Sequence, residues 1–149
     1  MNKKVVLCAM TLLIAVLICG CTTNAPQEST VPAAAEIPSL TGNWTGSMAG
    51  YEYGAGYTNF SGYTITMSVT EQRDRIFSGE FVFTNESGFH VWENAPFAAV
   101  IDRDGRTITM IEDGGGYTSG SIISSDEIEL IYADGNDPFN IAINVLKRS

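Results

Sequence analysis

The sequence predicts an all-β domain in which about eight antiparallel strands form an up-and-down meander and close into a small barrel. Three observations lead to this fold class. Residues 63–70 alternate apolar and hydroxyl side chains with the period of two of a half-buried strand, and similar runs recur to the end of the chain. Short polar segments such as 71–74 and 102–105 separate these runs. No segment after Leu40 shows the period of a helix.

The alternating runs place the strands in order along the chain. We expect strands at about residues 43–51, 62–70, 75–84, 88–93, 97–102, 106–112, 117–123 and 127–133. A last run at 139–148 adds a ninth strand unless 88–102 forms one bent strand. Because the connections are short, each strand is expected to pair with the next, and closure removes the exposed edges.

The alternation also predicts which side chains face the core. Phe77, Phe81 and Phe83 share one face of their strand. On the last strand the apolar set is expected to point inward, and it consists of Phe139, Ile141, Ile143 and Val145. Asn144 is therefore expected on the opposite face.

The N-terminal part of the chain has the features of an export signal. Lys3 and Lys4 precede an apolar run at 5–18 that only Thr11 interrupts. At about 14 residues this run is shorter than the roughly 20 that a membrane-spanning helix requires. The segment Ile-Cys-Gly-Cys at 18–21 resembles the lipobox of prokaryotic lipoprotein signal peptides.

This resemblance implies that residues 1–20 are a signal peptide and that Cys21 carries a diacylglyceryl group, which suffices for stable membrane anchoring. We therefore expect a lipid-anchored protein of the cell envelope, outside the cytoplasm. Residues 21–38 are rich in Thr, Ala and Pro and predict a disordered linker, while 39–149 form one domain. The alternative is that 5–18 remains as an uncleaved anchor.

The amino-acid composition excludes several classes of binding partner and of functional site. The formal net charge of −9 repels nucleic acid and anionic lipid headgroups. No Cys follows Cys21 and His90 is the only histidine, which excludes a disulfide, a thiolate zinc site and a multi-histidine metal site in the domain. No nucleophile motif accompanies His90. We expect no cofactor, no metal and no catalytic site, and hence a protein that is not an enzyme.

Both ends of the domain resemble a known family. The segment Ser-Leu-Thr-Gly-Asn-Trp-Thr at 39–45 looks like the opening strand of avidins, and its Gly-x-Trp is shared with lipocalins. Residues 143–148 are similar to the last avidin strand. The resemblance to these calycin barrels implies that Arg148 packs over Trp44 and closes one end of the barrel.

The resemblance does not extend to the biotin site. An Asn and a Ser that contact biotin in avidins are replaced here by Gly46 and Gly50, and Trp92 is the only Trp besides Trp44. Asn144 matches an avidin ligand position, but its expected outward orientation removes it from the interior. The resemblance therefore implies a calycin-like barrel but not a biotin-binding site.

Residues 51–63 form the longest expected connection and are rich in Gly and aromatic residues. Long ordered loops in compact domains are usually functional. We interpret this loop as a lid over one barrel mouth, with candidate ligand contacts at Tyr51, Tyr53, Tyr57, Phe60, Tyr63 and, from the barrel wall, Trp92. The alternative is that these rings fold back as a satellite cluster of the core.

Two functions remain open from the sequence. A barrel that binds a small molecule or a glycan predicts a lined cavity beneath the tyrosine loop. A structural or protein-interaction lipoprotein predicts a filled barrel and an exposed apolar patch. The state of the barrel interior distinguishes these two functions.

Overall fold

The structure, a computed structural model, describes residues 35–92 and 94–149. Its nine strands are β1 (Gly42–Glu52), β2 (Gly56–Thr58), β3 (Tyr63–Arg73), β4 (Ile76–Asn85), β5 (Ala95–Ile101), β6 (Thr107–Glu112), β7 (Tyr117–Ser124), β8 (Glu127–Asp134) and β9 (Asn140–Arg148). The described residues include no helix with the length and hydropathy to cross a membrane.

Eight of these strands close into an antiparallel barrel. β1 and then β3 to β9 follow one another around the wall in sequence order. β9 pairs back with β1 from Trp44 opposite Arg148 to Glu52 opposite Asn140. β2 stands outside this ring and pairs only with the last residues of β1. The predicted up-and-down barrel is therefore confirmed.

The predictions for the signal peptide 1–20, for Cys21 and for linker residues 21–34 fall outside the described residues. The described part of the chain lies against the barrel from its first residues. Ile37 packs against the core. Gln72 Nε2 donates to the carbonyl oxygen of Pro38 at 2.9 Å, and Leu40 N donates to Gln72 Oε1 at 2.7 Å.

One end of the barrel, here called the closed end, is filled by apolar side chains. Trp44 is fully buried, and its Nε1 donates to the carbonyl oxygen of Leu40 at 2.8 Å. The guanidinium carbon of Arg148 lies 4.2 Å from the Trp44 ring centroid. Its Nη1 and Nη2 donate to the carbonyl oxygens of Thr41 and Ser39 at 3.1 and 2.8 Å. The fully buried side chains around them include Met67, Phe77, Ile101, Ile108, Ile128 and Leu146.

Turns at the closed end are short, whereas the opposite end, here called the open end, carries long connections at 53–62 and 86–94. The β5–β6 turn at the closed end is organised by Asp104. Its carboxylate accepts hydrogen bonds from the hydroxyl of Thr107 and from the backbone N–H groups of Thr107 and Arg106. These bonds, the hydroxyl foremost, lower the pKa of Asp104 to about 2.

The strand expected at 88–93 is wrong, and so is the bent strand over 88–102. The described residues of that run form a turn, which Asn85 organises by accepting hydrogen bonds from the N–H groups of Ser87 at 3.0 Å and Phe89 at 3.1 Å. An isolated bridge joins Thr84 to His90, and Val91 N donates to the carbonyl oxygen of Phe83 at 3.0 Å. The Asx turn limits the pairing with β4 to this short stretch, and β9 closes the barrel by pairing with β1.

The facing predicted for the last strand is also reversed. Ala142, Asn144 and Leu146 point inward and are buried, while the side chains expected in the core are exposed, namely Phe139, Ile141, Ile143 and Val145. Directly paired residues share a face, and Leu146 pairs with core residue Ile128. That pairing determines which side chains of β9 face the core. A shift of one residue in register would move every side chain of the strand to the opposite face.

Because most of the apolar residues of β9 point outward, they form an apolar strip on the outer surface of the barrel. Ile143 pairs with Ile131 of β8, and both are exposed, by 49% and 39%. Ile141 continues the strip on β9. Apolar content alone therefore misidentifies the inner face of this strand.

Candidate functional site

The open end of the barrel contains a cavity of about 350 Å³. This volume lies in the range of small-molecule sites, which is about 300–1,000 Å³. Inward side chains of the barrel form its floor, among them Ile65, Phe81 and Ala142. The same barrel is thus packed at one end and hollow at the other.

An aromatic cluster centred on Trp92 stands at the mouth of this cavity. Tyr63 stacks on Trp92 with ring centroids 5.6 Å apart. Phe83 and Phe60 meet Trp92 edge to face at 5.2 and 6.2 Å. Phe60, Phe83 and Trp92 also line the cavity. Contacts among these rings hold the side of the mouth next to β3 and β4 in place.

Asn144 is the polar group buried deepest in the cavity wall. The residue is 4% exposed, and Oδ1 is buried without a hydrogen-bond partner among the described residues. Its neighbours across the wall are Met48 on β1 and Leu130 on β8, neither of which can donate a hydrogen bond. An acceptor left unpaired in this way costs about 1–3 kcal/mol. Asn144 lines the cavity, so a rotation of its amide toward the cavity lets a ligand donor reach Oδ1 and remove that cost.

Two hydrogen-bonded polar pairs lie beside the cavity, one between β7 and β6 and the other within β8. The hydroxyl of Thr118 donates to the Glu112 carboxylate, and the hydroxyl of Tyr132 donates to Asp134 Oδ2 at 3.3 Å. Burial is the main cause that raises the pKa of Glu112, and the charge of Asp134 adds to it while the Thr118 bond opposes it. Burial and the charges of Asp134 and Glu112 raise the pKa of Tyr132 to about 12. Tyr132 therefore remains a neutral hydrogen-bonding group, beside a carboxylate that is costly to ionise.

The six aromatic residues predicted as ligand contacts are divided by the structure. Tyr51, Phe60 and Trp92 line the cavity. Tyr63 supports Trp92 from behind and is 41% exposed. The remaining two do not reach the cavity: Tyr57 is 75% exposed, and Tyr53 stacks on Phe139 at 5.0 Å.

The segment expected as a lid is for the most part a hairpin. β1 continues to Glu52, and β2 turns back along it with Tyr51 opposite Tyr57. The cluster of Phe60 and Tyr63 with Trp92 corresponds to the alternative in which the rings fold back. Of residues 53–62, only Phe60 lines the cavity.

Sequence reasoning did not include Asn144, Glu112 or Tyr132 in the site. The resemblance to the last avidin strand contained the signal for Asn144, which the wrong facing of β9 concealed. Glu112 and Tyr132 follow the inward parity of Met110 and Leu130 and could have been found by extending it. No group of three or more His, Cys, Asp or Glu within the described ranges is placed to hold a metal ion.

The structure also explains the missing biotin contacts. A Cβ atom at Gly46 would clash with the carbonyl oxygen of Val145, and one at Gly50 would clash with that of Ile141. Neither position has room for the side chain that avidins carry there. The cavity is consequently lined by other residues.

The fold and the cavity define a small antiparallel β-barrel with one open end. Among solved structures, a redesigned β-barrel matches with a TM-score of 0.51 at 12% identity, covering 74% of this chain and 91% of that one. The redesigned barrel mFAP0, bound to DFHBI, gives 0.49 at 13%, covering 73% and 98%. A de novo designed fluorescence-activating barrel gives 0.45 at 14%, covering 74% and 94%. Such identities show the fold alone. No protein-family model and no curated protein matches the chain.

Proposed function

We propose that this protein is a membrane-anchored lipoprotein whose calycin-like barrel binds a small molecule in its open-end cavity, outside the cytoplasmic membrane. The observation that carries the binding function is the cavity of about 350 Å³, with Asn144 in its wall, whose Oδ1 has no partner in the part of the chain that the structure describes. A purely structural barrel would gain stability by filling this space, because empty volume forfeits packing energy.

Small residues keep the cavity open. Ala142 of β9 and Ala95 of β5 lie in its wall, where larger apolar side chains would fill the space. At Gly116 an added Cβ would clash with the ring of Tyr132, so that ring packs directly on the backbone of the β6–β7 turn. At the closed end, by contrast, the large side chains of Trp44 and Leu40 are fully buried within the core cluster. This contrast favours a binding barrel over the filled alternative.

Filling the cavity tests the binding function. Ala142→Phe places a ring inside the cavity, and Ala98→Phe places the same ring on the exposed face of β5 as the matched control. We expect mass spectrometry of the chain purified from the cell envelope to detect a co-purified small molecule with the wild type and with Ala98→Phe. We expect Ala142→Phe to lose it. A wild-type chain that carries nothing, or equal retention by both variants, would contradict the proposal.

The anchoring is tested separately at Cys21. Replacing Cys21 with Ser removes the thiol that the lipobox resemblance assigns to the diacylglyceryl group. We expect loss of labelling by radioactive fatty acid, accumulation of the precursor with residues 1–20 attached, and no effect on ligand retention. The variant Cys19→Ser is the control and should be processed as the wild type. Unchanged labelling of Cys21→Ser would sink the lipoprotein proposal and leave the binding barrel standing.

A further inference from the structure

Charge is unevenly distributed between the two ends of the barrel. Every Lys and Arg side chain in the described ranges lies at or next to the closed end, namely Arg73, Arg75, Arg103, Arg106, Lys147 and Arg148. The cavity at the open end is lined by three carboxylates, those of Glu52, Glu112 and Asp113, and by no basic residue. A mouth of one charge sign attracts ligands of the opposite sign.

The buried Asn144 supplies an independent observation at the same cavity. Its Oδ1 is an acceptor with no partner in the described chain and lies among apolar neighbours. Only a group with a hydrogen on nitrogen or oxygen satisfies it. The carboxylate of Glu112 accepts one hydrogen bond from Thr118 and has capacity for more. The cavity wall therefore has unused acceptors at two places, on β9 and on β6.

The aromatic rings at the mouth are the third feature that bears on the ligand. Trp92, Phe83 and Phe60 line the mouth, and Phe81 lies deeper. Their faces carry partial negative charge and attract cations, Trp most strongly. An anion would meet these faces and the carboxylates together without a compensating base. A neutral glycan would leave the charge of Glu112 unmatched inside the wall.

We infer that the ligand of this cavity is a flat organic cation that carries N–H donors, held by Glu112 and Asn144 and stacked against the aromatic mouth. This inference rests on the proposed binding function and names the class of ligand. The carboxylate compensates the ligand charge, the Asn144 oxygen accepts one of its N–H groups, and the rings contact its faces. Amidinium and aromatic ammonium groups have this chemistry.

Four probes of similar size separate these contributions. Benzamidinium is a flat cation with N–H donors, benzamide is its neutral counterpart, benzoate is the anion, and phenyltrimethylammonium is a cation without N–H groups. The full chain in neutral detergent is titrated with each probe at pH 7.5 by calorimetry. We expect benzamidinium to bind most tightly, benzamide about tenfold more weakly because the charge interaction is lost, and benzoate not at all. Phenyltrimethylammonium should fall between benzamidinium and benzoate.

Two variants assign the contributions to residues. Glu112→Gln removes the charge but retains an acceptor for Thr118, and it should weaken benzamidinium about tenfold while leaving benzamide unchanged. Asn144→Leu removes the acceptor and should weaken benzamidinium and benzamide alike, leaving phenyltrimethylammonium unchanged. Glu129→Gln, on the exposed face of β8, is the matched control for lost charge and should bind as the wild type.

The outcomes separate this inference from the proposed function. If benzamide or benzoate binds as tightly as benzamidinium, or if Glu112→Gln behaves as Glu129→Gln, the cationic ligand class is wrong. If no probe binds while a natural molecule still co-purifies and is lost in Ala142→Phe, the class is wrong and the binding function stands. If no probe binds and nothing co-purifies, both fail.

Discussion

At the scale of single residues, the cavity wall carries groups that cost stability and are suited to binding. Asn144 Oδ1 is buried and has no hydrogen-bond partner within the described ranges, and Glu112 is a partly buried carboxylate with a raised pKa. Polar groups without partners are rare in protein interiors, and they concentrate at functional sites. The resemblance to the avidin strand identified Asn144, whereas the local apolar pattern of Ile141, Ile143 and Val145 predicted the wrong side. That error arose because outward apolar residues on β9 outnumber inward ones.

Glu112→Gln is predicted to stabilise the protein at neutral pH and not in acid. The pKa of Glu112 is higher in the folded chain than its ordinary value of 4.5, which represents the unfolded chain. The folded state therefore binds its proton more tightly, and its stability falls as the pH rises from below 4.5 through the raised pKa. Glutamine cannot ionise and avoids this loss.

Thermal denaturation at pH 4 and pH 7.5 measures the effect. The melting temperature of Glu112→Gln should exceed that of the wild type at pH 7.5, and this difference should shrink at pH 4. Glu129→Gln, at an exposed position, is the control for the change in net charge. A Glu112→Gln variant that melts below the wild type at pH 7.5 would show that ionised Glu112 stabilises the fold.

At the scale of elements, strands were predictable and connections at the open end were not. The alternation at 63–70 predicted β3 because one of its faces is uniformly apolar. The segment 88–93 also has an apolar content typical of a strand, yet beside the Asn85 turn its pairing with β4 is limited to one bridge. Tyr53 and Tyr57 could not be separated from Tyr51 by sequence, since their places depend on how far the hairpin extends past the mouth and on tertiary contacts such as that of Tyr53 with Phe139.

Trp44→Ala is predicted to destabilise the barrel far more than the same change at Trp92. Trp44 is fully buried under Arg148, and its truncation leaves a cavity that costs about 3–5 kcal/mol. Trp92 is 45% exposed and mainly makes ring contacts, so Trp92→Ala should cost about 1–2 kcal/mol. Urea denaturation compares their free energies of unfolding. Equal losses would place the two tryptophans in equivalent environments and contradict the distinction between closed and open ends.

At the scale of the whole molecule, the sequence predicted the closed barrel but not the difference between its ends. Short polar turns and recurrent alternation suffice for a meander, and the match of Trp44 with Arg148 gave the closing pair. A cavity depends on the summed volumes of inward side chains from eight strands. The sequence predicted the wrong inward residues for β9, so the volume of the side chains inside the barrel could not be added up correctly.

The two ends of the described chain meet the barrel on the same side. Residues 35 and 36 pass over Gly105 in the β5–β6 turn, and Ser149 N donates to the carbonyl oxygen of Asn43 at 3.1 Å. Both places belong to the closed end. A bead, sensor chip or fusion partner coupled at either place is therefore attached at the base of the barrel. Solutes then diffuse to and from the mouth without passing the point of attachment, so immobilised protein retains the exchange rates of protein in solution.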